Sequence, residues 1–201
     1  MAYANWVEPN KTSGNGNDTV SWSASAHTGR TARTTTATFS ASGVESKTLT
    51  ITQSGKAEFV DIQDTATVNK SGGSVTITGT SNSPKLTFTL TGTNGIGLTL
   101  PASYLANSVS TSNGVAISGD PGANQEYTFS ITFTNIGENT SVSSLVSQLT
   151  VTTDNNTTDT CDITQAAAEP TLSISPTSIT IPAAGTAQSV TVTSNTAWTI
   201  S

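Results

Sequence analysis

Residues 172–201 read LSISPTSITIPAAGTAQSVTVTSNTAWTIS. Apolar and hydroxyl side chains alternate through Leu172, Ile174, Ile179 and Ile181, again through Val190 and Val192, and again through Trp198 and Ile200. A period of two is that of a half-buried strand. The stretch therefore predicts strands over 172–181, with Pro176 tolerated as at an edge, over 187–194 and over 197–201. Three strands make one sheet with one wet apolar face. The reading is the opening half of a β-sandwich.

The other end of the chain reads as a closing half. Residues 18–26 (DTVSWSASA) alternate with Val20, Trp22 and Ala24 on one face. Two further strands are expected over 33–41 and 46–53, with Leu49 and Ile51 inward, and one short strand around Trp6. The Pro, Gly and Asn of residues 8–17 predict a loop. Between the two ends, strands are expected at 59–63, 74–79, 85–91, 97–100, 127–135, 148–153 and 160–165. Turn signals such as SGG, TGTNG, SGDPGAN and TDNNTTD separate them, and PASYLANS (101–108) reads as one helical turn. That set suggests an immunoglobulin-like sandwich. The fold class is all-β: sandwich repeats, one complete over 57–168, and two complementary partial ones over 1–56 and 169–201.

The copies overlay on one another. KTLTITQSGKAEF (47–59) matches TCDITQAAAEPTL (160–172), each a strand ending in Ile-Thr-Gln followed by a small-residue linker. SGGSVTITGTSNSPKL (71–86) matches AAGTAQSVTVTSNTAW (183–198), and DTVSWSASA corresponds to EYTFSITFT (126–134). Each end block holds what the other lacks. Trp198, Ile200, Val190 and Val192 on one side and Trp22, Leu49 and Ile51 on the other are thus the expected complementation surface. A five-residue linker reaches about 17 Å at ~3.3 Å per residue. The two halves could close within one chain, between copies, or on another protein.

The TLTITQ ending, the DTVSW…HTGRTART run and SVTVTSNTAWTIS resemble the BACON family, an Ig-like module. The resemblance is looser in the middle block, where Leu86 stands at the position of a tryptophan. It implies the setting of secreted glycan-active proteins of gut Bacteroidetes, or of virion proteins of the crAss-like phages that infect them. Carbohydrate binding, suggested for the family, maps onto no motif here.

Composition narrows the function classes. Seven Lys and Arg against 13 Asp and Glu give a net charge of −6. No basic footprint for nucleic acid or an anionic membrane is present. Residues 1–11 lack a basic segment followed by an apolar one, so a signal peptide is not expected. No apolar run approaches the ~20 residues of a membrane span. The single cysteine, Cys161, reads as a buried thiol on an alternating strand.

Catalytic chemistry is not expected either. His27 is the only histidine and sits in a Gly-containing turn. Asp154, Asn155, Asn156, Asp159 and Asp162 are the best oxygen cluster, yet lack the Gly and distal Glu of a calcium loop. Nothing in spacing pairs two carboxylates among Asp61, Asp64, Asp120, Glu126 and Glu138. Trp6, with Tyr3 nearby, is the aromatic candidate for a sugar contact. The expectation is a non-enzymatic structural protein without cofactor or metal. It is read as an auxiliary capsid or decoration protein on a virion surface, with further copies of itself or the major capsid protein as partners. The alternative is a carbohydrate-binding or spacer module at a cell surface.

Overall fold

The computed structural model of the chain describes residues 3–118 and 124–201, and at residues 93 and 94 the backbone alone. Among the described residues every regular element is a strand. The N-terminal block holds β1 (Val7–Pro9), β2 (Trp22–Ala24), β3 (Arg33–Phe39) and β4 (Lys47–Gln53). The middle block holds β5 (Val60–Ile62), β6 (Thr65–Val68), β7 (Gly73–Ser81), β8 (Leu86–Asn94), β9 (Ser103–Ala106), β10 (Val109–Ser112), β11 (Tyr127–Ile136), β12 (Leu145–Thr153) and β13 (Thr158–Gln165). The C-terminal block holds β14 (Leu172–Ser175) and β15 (Thr191–Ser194).

The middle block closes a sandwich. Its five-stranded sheet runs β10-β9-β11-β7-β5 and its four-stranded sheet β6-β13-β12-β8. This is the immunoglobulin-type division, with β5, β7, β11 and β9 on one side and β8, β12 and β13 on the other. The first strand is split between the sheets. β5 pairs antiparallel with β7, and only Gln63 and Asp64 later β6 pairs in parallel with β13.

Alternation explains the core. Phe129, Ile131 and Phe133 on β11, with Ile77 on β7, face Leu86, Phe88, Leu149, Val151, Cys161 and Ile163 of the other sheet, all buried. Phe88 stands edge-on to Phe129 at 5.8 Å and tilted against Tyr104 at 4.7 Å, arrangements that aromatic quadrupoles favour. Outside, threonines pair across strands, as Thr76 and Thr132 do at 2.9 Å. Gly79 lies under Phe129, whose ring atom is 2.5 Å from where a Cβ would stand. A larger residue there would push the ring out of the core.

Several expectations are corrected. PASYLANS is not helical: Tyr104 and Ala106 are buried and Ser103 and Leu105 are not, which is strand periodicity. Asn107 and Ser108 follow with φ of 48° and 65°, the two-residue turn that joins β9 to β10. Residues 97–100 form no strand, whereas Thr65–Val68 does. Glu8 and Pro9, expected in a loop, pair with Ser23 and Trp22. The strand expected over 18–26 shrinks to Trp22–Ala24. β14 stops before Pro176, β15 begins at Thr191, and residues 197–201 are not strand. The expected turn SGDPGAN and Asp120 fall mainly outside the described residues.

Phe88→Ala leaves a cavity where the two sheets meet and is expected to cost ~3–5 kcal/mol, read as a lower denaturant midpoint. Burial, reinforced by Asp162, Asp64 and Asp159, raises the Cys161 thiol from its ordinary 9.0 to about 11. The folded chain keeps this proton while the unfolded chain releases it near 9, so its contribution is lost as pH rises through that window. Denaturation curves from pH 8 to 11 should show stability falling, with a shallower fall in Cys161→Ala.

Candidate functional site

The end blocks repeat the pairings of the complete sandwich, strand for strand. β14 pairs β15 with Leu172 opposite Ser194 and Ile174 opposite Val192. β5 pairs β7 with Val60 opposite Ser81 and Ile62 opposite Gly79. On the overlay of linkers, Leu172 and Ile174 stand where Val60 and Ile62 stand. At the other end, β3 pairs β4 with Arg33 opposite Gln53 and Ala37 opposite Leu49. β12 pairs β13 with Leu145 opposite Gln165 and Leu149 opposite Cys161. The register is the same, so β3 and β4 hold the places of β12 and β13, while β14 and β15 hold those of β5 and β7.

Burial separates the copies. Cys161 and Val151 are fully buried, but the equivalent Leu49 and Phe39 are 38% and 45% exposed. Ile62 is 2% exposed and its equivalent Ile174 is 49% exposed. Leu86 is fully buried, whereas Trp198, matched to it, is 47% exposed. Val190 and Ile200 are also exposed, and Val192, Trp22 and Ile51 are half-buried. Within the chain these residues form two separate open faces. Among the described residues, the principal contacts between elements include none of one half against the other.

A second set of residues was not anticipated. Ser81, Asn82 and Ser83, fully buried, form a clasp at the end of β7. Ser81 Oγ donates to Phe59 O at 2.6 Å and accepts from Ser83 N at 3.0 Å. Asn82 Oδ1 accepts from Phe59 N at 3.0 Å while Nδ2 donates to Ala57 O at 3.2 Å. The same four bonds recur after β15. Ser194 Oγ donates to Thr171 O at 2.8 Å and accepts from Thr196 N at 3.1 Å. Asn195 Oδ1 accepts from Thr171 N at 2.8 Å and Nδ2 donates to Glu169 O at 2.9 Å. The signal was the repeated Ser-Asn followed by a hydroxyl residue, SNS and SNT.

The first clasp also ties the blocks together. Asn82 Nδ2 reaches Thr28 O at 3.1 Å, and Arg30 Nη1 donates to Asn82 O at 3.0 Å. Glu126 N donates to Thr28 Oγ1 at 3.1 Å, and Lys56 N to Gly29 O at 2.9 Å. A Cβ on Gly29 would run into the Asn124 backbone, so only glycine lets the turn approach so closely. Lys56 Nζ lies 3.6 Å from the centre of the Phe59 ring, adding a cation–π contact. His27, in this same turn, donates from Nε2 to Thr31 O at 2.7 Å.

The remaining candidates have structural partners. Arg33 covers one face of Trp6 at 4.6 Å and donates to Gln53 Oε1 and Ser25 O, and Tyr3 meets Trp22 edge-on at 5.3 Å. Asp154 pairs with Lys85 at 2.6 Å, and Asn155 Oδ1 accepts from Thr153 and Thr157. Asp159 accepts from Ile62 N, and Asp162 from Gln148 Nε2. These oxygens point to separate partners rather than to a common centre. Among the described residues no group of His, Cys, Asp and Glu could hold a metal. Nor do they include a helix long and apolar enough to cross a membrane.

Residues 1–54 match the BACON family. Its description is "Putative binding domain, N-terminal", and the matched segment ends one residue after β4. No curated protein matches the chain. The N-terminal block is therefore similar to a binding module, and its β3–β4 hairpin lies within the matched segment.

Asn82→Ala strands the Phe59 amide and breaks the tie to Thr28. A loss of ~1–3 kcal/mol in urea denaturation is expected, with faster exchange of the Phe59 and Lys56 amides. Asn195→Ala, in an exposed clasp, should cost less.

Proposed function

We propose that the protein is a non-enzymatic structural protein whose copies join by strand complementation, the C-terminal block of one filling the N-terminal block of the next. One observation carries the reading: the end blocks hold complementary strands of one sandwich, in that sandwich's own registers, with apolar faces left open. Such a joint is heterologous, so repetition gives rings or extended arrays. Backbone pairing supplies affinity and the alternating side chains supply fit. The resemblance of the end blocks to the BACON family, whose settings include virion proteins of crAss-like phages, is what suggests a role as an auxiliary capsid or decoration protein contacting the major capsid protein.

The second reading is a carbohydrate-binding module. It is favoured by the family's description as a binding domain and by the half-exposed Trp6, whose one ring face is taken by Arg33.

Native mass spectra at two concentrations test the first reading, with oligomers expected to grow with concentration. A monomer throughout would overturn it. Trp198→Ala removes an anchor worth ~1.5–3 kcal/mol on burial, so association should weaken roughly 10- to 150-fold. Glycan-array binding that disappears in Trp6→Ala, with no oligomers, would instead favour the carbohydrate reading.

A further inference from the structure

The complete sandwich is a template for the joint. In it, the four-stranded sheet ends on β8, which pairs with β12 through Leu86 opposite Thr153, Thr87 opposite Thr152 and Phe88 opposite Val151. β3 holds the place of β12, and its edge equivalent to the one covered by β8 is unpaired among the described strands. On the overlay, Val151, Thr152 and Thr153 become Phe39, Ser40 and Ala41. With one residue fewer between the clasp and this segment, Trp198 and Ile200 carry the apolar face that Leu86 and Phe88 carry. Residues 172–201 contain no Asp, Glu, Lys or Arg, the side chains that usually guard an open strand edge against pairing.

A second absence falls at the same place. Gln165 Nε2 donates to the carbonyls of Asn69, Lys70 and Gly137, the first two from the segment between β6 and β7. Its equivalent, Gln53 Nε2, donates to Ser25 O. Among the described residues nothing takes the part of Asn69 and Lys70. The matching segment between strands lies in the C-terminal block, directly after Ile181.

Building on the assembly reading above, we propose that the occupant of the open β3–β4 face is a second copy in one defined register. Its Trp198, Thr199 and Ile200 lie antiparallel to β3, opposite Ala41, Ser40 and Phe39. Its Ile179 and Ile181 lie in parallel beside Ile51 and Gln53, as Ala66 and Val68 lie beside Ile163 and Gln165. Residues 177–181 and 198–201, not strands in the single chain, become strands on joining. The carbonyls following Ile181 then reach Gln53 Nε2.

Paired cysteines test the register. Directly opposite residues on neighbouring strands have Cβ atoms about 4.5–5.5 Å apart, close enough for a disulfide after small adjustment. Full-length Ser40→Cys and Thr199→Cys chains, mixed and mildly oxidised, should give a disulfide-linked heterodimer that reduction abolishes. Either variant alone should stay uncrosslinked. Cys161, buried with its thiol proton held, does not compete. A mixture of Ser42→Cys with Thr199→Cys reads a slip of two residues, which keeps the same faces inward. Oligomers that crosslink through residue 42 and not residue 40 would overturn the register and leave the assembly reading standing. A double Ser40→Cys, Thr199→Cys chain that closes on itself as a monomer would overturn the second copy as occupant. Absence of both oligomer and crosslink would overturn both.

Discussion

A β-sheet with one aliphatic face is stable in water when a second such face covers it. Everything in this chain follows from where that condition is met. In the middle block Ile77, Phe129, Ile131 and Phe133 meet Leu86, Phe88, Leu149, Val151 and Ile163, and the two sheets exclude water from one another. In the end blocks the same strands form with the same partners, and the cover is partial: Val7 and Ala37 are buried in the N-terminal block, while the C-terminal block buries no apolar side chain. β3 on β4 reproduces the register of β12 on β13 with a far smaller core, Val7 and Ala37, beside it. The apolar side chains decide what comes next, because Leu49, Phe39, Ile174 and Trp198 lose their benefit for as long as they face solvent.

Long alternating strands were legible in the sequence because period-two patterning there coincides with burial. β7, β8, β11, β12 and β13 lie close to their expected positions for that reason. β6, β9 and β10 were not legible. Each is four residues long, too short for alternation to stand out. Tyr104 and Ala106 on β9 sit in the segment, residues 101–108, that read as one helical turn. The turn at Asn107–Ser108 depends on two left-handed residues, of which only the asparagine hints at such a conformation. Residues 197–201 had the pattern of a strand without a neighbour to pair with.

The surface was half legible. Repeats in the sequence pointed to end blocks whose strand registers match those of the middle block, but not to the hydrogen-bonded turns that lock each first strand. Ser81 and Asn82 look like ordinary loop residues, and their importance lies in bonds to Phe59 and Ala57, more than twenty positions away. Only the coincidence of SNS with SNT carried the message. Arg30 escaped notice for a similar reason. Its backbone acceptor, Asn82 O, belongs to the following sandwich.

The two linkers differ in what grips them. At the first, Thr28, Gly29 and Arg30 hold the Asn82 turn and the Lys56 amide, so neighbouring units move as one piece. At the second, Ala166 N and Ala168 N donate to Val68 O and Ser141 O of the middle block, while the Asn195 turn bonds Glu169 and Thr171 of its own block. Both linkers are thus tied back to the block before them by a backbone amide, and the first carries in addition the side-chain bridges of Asn82 and Arg30, which makes it the stiffer of the two joints.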